Sequence, residues 1–238
     1  MIKNNGIKIK LYFILSALLI LAVLIQVGAL NNISYAFENK VVHFLARDMK
    51  KLETEHFIIH YEDETEGQLV AKIGEKYYEE VSSFHHYDHE KKIPIIIHNR
   101  EKMSQLTLLK RDNLPMGYYR AGVIQILSPS EWIGEGEDVE EVFETEGPVI
   151  HEMSHFMFDQ SQDADDETWV QEGLALYVEY KATGYTIADK DQYEELYTRE
   201  ELKNFHELDK VKAYYSSFII MKNIIEENDV EYWGNMLK

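Results

Sequence analysis

The sequence predicts an α+β domain in which a small sheet layer precedes a helical C-terminal part. Three observations lead there. Two β-branched runs flank a long stretch of helical periodicity between residues 55 and 98. A third β-branched run follows at 121–127. From residue 138 onward, apolar residues recur mainly at helical spacing. The expected organisation is a leader at 1–36, a linker or entry segment at 37–54 and one domain at 55–238. Within that domain, an α/β part spans 55–160 and a helical part 161–238.

Residues 11–30 are apolar and uncharged, and Lys3, Lys8 and Lys10 precede them. A membrane-spanning helix needs about 20 such residues, yet Ser34 and Ala36 supply the small side chains that signal peptidase prefers at −3 and −1. The leader is therefore expected to be a signal peptide or an uncleaved anchor, and both alternatives stand. In either case the basic residues ahead of the run place the remainder outside the cytoplasm, secreted or held at the membrane. In the entry segment, Val41, Val42, Phe44 and Leu45 form a short apolar stripe.

The first strand is expected over Glu55–Tyr61, which alternates and is β-branched. Leu69, Ile73, Tyr77 and Val81 then recur at helical spacing from Glu66 to about Tyr87. A second strand, Lys92–His98, is apolar enough to be buried on both faces. A short helix from Glu101 to about Leu109 ends at Leu114-Pro-Met-Gly117. The third strand, Ala121–Leu127, stops before Pro129. Placed at a sheet edge, Gly122, Val123, Ile124 and Gln125 would offer main-chain hydrogen bonds to an extended peptide.

Trp132–Asp138 is a turn-rich acidic loop, and Asp138 with Glu141 has the pattern of a helix-opening capping box. That helix either runs on through residue 155 or restarts at Gly147-Pro148, since proline suits a first helical turn. Asp159–Glu167 is polar and reads as a connecting loop. Thr168 and Gln171 suggest a second capping box, opening a helix that Gly184 can terminate. A last helix is expected from Val211 to Glu227, with Phe218, Met221, Ile224 and Ile225 on its buried side.

The chain has 43 acidic and 24 basic residues, and three of the basic ones lie in the leader. So acidic a chain is not expected to bind nucleic acid. It has no cysteine, which leaves His and carboxylate as the metal ligands at hand.

The chemistry concentrates in His151-Glu-Met-Ser-His155 and in Glu172. On a helix, residues four apart stack about one turn, roughly 5.4 Å, from each other on one face. His151 and His155 can therefore aim at one ion, and Glu152 projects beside it, where a carboxylate can take a proton from an activated water. Ile150, Met153, Phe156 and Met157 give this helix a core to face. Glu172, in the first turn of the next helix, is the expected third ligand of a single Zn2+. Glu179, seven residues further, returns to nearly the same face and is a candidate partner for a ligand histidine. His85 and His89 are also four apart, but they fall where the long helix should end, and a solvated helix terminus accounts for them.

These segments, above all His151–His155 followed by Trp169-Val-Gln-Glu-Gly-Leu-Ala-Leu-Tyr-Val-Glu179, resemble the gluzincin zinc metallopeptidases and, within them, the small bacterial peptidase-MA-like domains. The similarity extends over residues 50–228. It implies a zincin-like fold, with a mixed sheet over an active-site helix and a helical part supplying the third ligand. It also implies zinc on His151, His155 and Glu172, with Glu152 as general base. A tyrosine of a later helix often stabilises the oxyanion in this family. Here the resemblance offers Tyr214, with Tyr215 as the alternative. Thermolysin-like relatives carry an acid four residues after the third ligand, where this chain has Leu176. The expected function is zinc-dependent hydrolysis of peptide bonds in a peptide or protein substrate. The alternative is a membrane-attached zincin-fold domain that binds or senses without turnover.

Overall fold

The computed structural model describes residues 39–40, 44, 46–87, 91–161, 167–189 and 192–227. The expected leader, most of the residue 41–45 stripe, and His89 lie outside the described residues. The chain separates into a unit Met1–Arg47 and a unit Asp48–Lys238. In the first, the Arg47 guanidinium lies 4.0 Å over the Phe44 ring. Everything below concerns the second.

Its sheet has five strands in the order β1-β2-β3-β5-β4. The strands are β1 (Lys50–Glu53), β2 (Phe57–Tyr61), β3 (Ile93–His98), β4 (Gly117–Arg120) and β5 (Val123–Leu127). β2, β3 and β5 run parallel, and the two outer strands pair antiparallel. The fold is thus α+β with a mixed sheet. Parallel strands are usually covered on both faces. In keeping with that, β5 is buried throughout and β3 nearly so. β1 occupies part of the expected entry segment. Its Lys-Lys-Leu-Glu sequence is too polar to announce a strand, and that polarity suits an exposed edge.

α1 (Glu64–His85) is capped by Asp63, whose carboxylate accepts the Thr65 and Glu66 amides. It packs on β2 and against α4 (Val149–Ser161), which also lies on β4 and β5. These faces share one core around Phe57, Ile73, Ile95, Ile124, Ile150 and Met153. Fully burying side chains of this size contributes roughly 1.5–3 kcal/mol each. α2 (Arg100–Thr107) follows β3.

Two expectations need correction, and one open alternative is resolved. The strand proposed as the sheet edge, Val123–Leu127, is interior, between β3 and β4. Ala121 (φ 52°) and Gly122 (φ 77°) form the two-residue turn joining β4 to β5, as a type I′ hairpin requires. Gly122 is therefore a turn residue. The main-chain groups of Val123, Ile124 and Gln125 face neighbouring strands, and the edge belongs to Gly117–Arg120. The helix before the motif does break. α3 (Val139–Glu146) is capped by Asp138 and ends at Gly147, and α4 restarts after Pro148. Second, α4 runs on to Ser161, so Asp159 is helical and not part of the loop.

α5 (Thr168–Thr183) opens one residue earlier than the expected capping box. Glu167 is its N-cap without a side-chain cap bond, and the Glu167 carboxylate instead accepts the Trp169 indole N–H. The helix closes on Gly184 as expected. After the short α6 (Arg199–Leu202), α7 (Lys210–Glu227) packs along α5. A Cβ at Gly173 would stand 2.6 Å from both Met221 Cγ and the Ser217 carbonyl oxygen, so only glycine lets these helices approach so closely. Among the described residues, no helix is long and apolar enough to cross a membrane.

Candidate metal centre

α4 and α5 meet so that three lone-pair donors converge. His151 Nε2 lies 3.1 Å from His155 Nε2 and 3.2 Å from Glu172 Oε2, and His155 Nε2 lies 3.3 Å from the same oxygen. The triangle is nearly equilateral. Ligands about 2.0–2.1 Å from a tetrahedral zinc ion stand about 3.3 Å apart, so the donor spacing fits one such ion. Each imidazole can donate to the Glu172 carboxylate, which satisfies two edges of the triangle and leaves the third as a close approach of two ring nitrogens. Among the described residues, this is the one His and carboxylate cluster able to hold a metal ion.

The local sequence explains the convergence. Four-residue spacing puts both imidazoles on one side of α4, while Met153 and Phe156 anchor its other side in the core. Ser154, also turned inward, pairs with His85 across a buried 2.7 Å hydrogen bond. Burial drives His85 down to about 3, so it stays neutral. Its expected place at a solvated helix end is thus corrected: it is a buried support behind the motif helix.

Burial pulls the His151 pKa down, but Glu172 and Glu179 outweigh it and raise the value well above its usual range. Glu179 is itself buried, and its Oε2 sits 3.4 Å from His151 Nδ1, the nitrogen that points away from the cluster. That is the position from which a carboxylate fixes the tautomer and orientation of a ligand imidazole. Burial likewise works to raise the Glu172 carboxyl, yet its bonds to the two histidines hold it far below the ordinary carboxylate range.

Glu152 is 6 % exposed and does not join the triangle. Burial raises its pKa, His151 and His155 oppose that, and the backbone N–H of Tyr119 on β4 donates to its carboxylate. The edge strand and the motif helix are locked at this point. A Cβ on Gly117 would come 2.6 Å from Pro148 Cβ and 3.0 Å from Glu152 Cγ.

The cavity over the cluster has about 440 Å³ and is floored by α4 and α5. β4 walls it with Gly117, Tyr118 and Tyr119, and α7 contributes Tyr214. The Tyr214 hydroxyl bonds Glu172, and burial followed by the Glu172 charge pushes its pKa far up, so it remains a donor. The Phe205 ring holds Tyr214 from the side at 5.1 Å. Tyr215 turns away into the helical core beside Tyr193 and Phe218. The sites named from sequence on α4, α5 and α7 therefore come together, whereas Val123, Ile124 and Gln125 do not line the cavity and their hairpin partner β4 does. Two cavity residues had escaped notice. Tyr118 and Tyr119 sit in a four-residue strand directly after a Pro-Met-Gly breaker, and only their alternation with Gly117 could have signalled it.

No family model, curated protein or solved structure matches this chain.

Proposed function

We propose that this chain is an exported or membrane-anchored zinc metallopeptidase of gluzincin type, with a zincin-like fold and one Zn2+ on His151, His155 and Glu172. One observation carries the reading: the three donor atoms stand 3.1–3.3 Å apart, with a separate buried carboxylate, Glu152, at their side. A purely structural metal site closes its coordination with four protein ligands, whereas three leave a position open for reactants. When bound, the ion supplies Lewis acidity that polarises the scissile carbonyl and makes water acidic enough to be deprotonated near neutral pH.

The remaining steps belong to the chain. Glu152, its pKa raised by burial, takes the proton of the attacking water and delivers it to the leaving amine. Its carboxylate is held for this by the Tyr119 amide. Tyr214 donates its hydroxyl to the oxygen that gains negative charge, a task that calls for a protonated phenol. Glu179 keeps His151 oriented. The outward edge of β4 borders the cavity, where an extended peptide can add as a further strand.

The test is hydrolysis of a peptide library by residues 37–238, with and without chelator, alongside Glu152→Gln. The substitution is expected to retain zinc and to lower kcat by at least about 10³-fold. Equal cleavage by the Gln variant would refute the mechanism. A zinc-loaded parent that cleaves no peptide would favour the binding or sensing alternative.

A further inference from the structure

The metal cavity contains a third carboxylate that the proposed chemistry does not use. Asp159 lies on α4 one turn beyond His155, about 6 Å further along the axis, and lines the same cavity. Its Oδ2 accepts the Tyr119 hydroxyl, and the Gln160 amide nitrogen at 3.2 Å. Two donors on one oxygen fix the carboxylate and leave Oδ1 directed elsewhere. Tyr118 and Tyr119 line the same cavity, and burial pushes the Tyr118 phenol up to about 12, with Arg120 opposing, so that hydroxyl is neutral.

The charges around the cavity do not balance. With a divalent ion in place, Glu172 and Glu152 together offset its two positive charges. Asp159 is then a further negative charge; the described residues lining the cavity include no Lys or Arg, and the nearby Arg120 acts on Tyr118 from outside that lining. A carboxylate held in place in a partly enclosed cavity favours a cation through ion pairing.

We infer that Asp159 forms a subsite for a positively charged group of the substrate, either a lysine or arginine side chain or a free amino terminus next to the bond being cleaved. This rests on the peptidase reading of the cavity. Asp159 acts here as a specificity residue and not in bond cleavage.

The test uses the full chain loaded with zinc and three synthetic peptides of one sequence. One has an acetylated terminus and lysine near the scissile bond, the second has norleucine in place of that lysine, and the third is the norleucine peptide with a free amino terminus. The parent should favour one charged peptide over the neutral one by about tenfold or more in kcat/KM. The arm that shows the preference identifies the source of the charge. In Asp159→Asn that ratio should fall toward one, with zinc content and melting temperature retained, because an amide oxygen still accepts the Tyr119 hydroxyl. Calorimetric binding of the same peptides to zinc-loaded Glu152→Gln supplies a readout free of turnover. Equal affinity for charged and neutral peptides there would overturn the subsite. Preferential binding of a charged peptide, with no hydrolysis by the parent, would instead sink the peptidase reading and leave the subsite standing.

Discussion

Of two cavities among the described residues, the larger is not the one that holds the His and carboxylate cluster. About 630 Å³ opens at the carboxyl ends of β2, β3 and β5, against about 440 Å³ over the metal cluster. Both are lined by acids and histidine. In the sheet-end cavity, however, the polar groups are largely satisfied from within. Asp63 caps α1, Asn99 caps α2, and Glu66 accepts the Ser128 hydroxyl at 2.5 Å and the Ser130 amide at 3.2 Å. Glu131 pairs with Arg100, and the His98 ring bonds Gln125. In the metal cavity, by contrast, two ring nitrogens and a carboxylate oxygen crowd within 3.1–3.3 Å of one another. Convergence of three possible metal-ligating atoms, not volume, distinguishes the candidate site. Such crowding costs the metal-free fold stability that a bound ion returns.

The largest effect should come from the ion itself. Removing zinc is expected to lower the melting temperature, and zinc held at a thousandfold excess over its Kd should add about 4 kcal/mol to unfolding free energy. His155→Ala should abolish that gain. A scanning-calorimetry trace unchanged by chelator in the parent would erase the contrast between the two cavities.

A smaller loss should follow from Glu179→Gln. The amide still reaches His151 Nδ1 but brings no charge, and support of this kind is typically worth 10- to 100-fold in metal affinity. Competition against a fluorescent chelator measures it. Unaltered affinity would reduce Glu179 to a structural carboxylate whose distance to His151 is incidental.

How far the sequence disclosed this arrangement depends on the distance over which each feature is encoded. The candidate metal ligands are local: two histidines one turn apart and a glutamate in the next helix follow from 3.6-residue periodicity and one short connection. Glu179 is legible in the same way, seven residues along the helix. Strand order is not local. Nothing within Val123–Leu127 says that Gly117–Arg120 will pair outside it, because Ala121 adopts a positive φ that its side chain does not advertise. Asp159 was masked by its acidic neighbours, although Phe156, Met157 and Phe158 carry α4 past it. The role of His85 depends on a contact 69 residues away in sequence. Patterns within an element could be read from the chain, whereas pairings between elements needed the fold.

The smallest effect belongs to the satisfied cavity. His98 is 4 % exposed, and burial lowers its pKa from 6.5 to about 4, the Gln125 bond opposing and nearby Lys102 assisting. The sign follows from where the proton goes. Above pH 6.5 neither the folded nor the unfolded chain protonates this ring. Below it the unfolded chain takes up a proton that the folded chain refuses, so stability falls as pH drops toward 4. Other groups titrate as well, so the useful quantity is the difference between the parent and His98→Gln. That difference should be flat above pH 7 and shrink by roughly 1 kcal/mol per pH unit between 6.5 and 5. Urea unfolding at each pH reports it. A difference constant across that window would mean that His98 titrates normally in the folded state and that its burial does not exclude the proton.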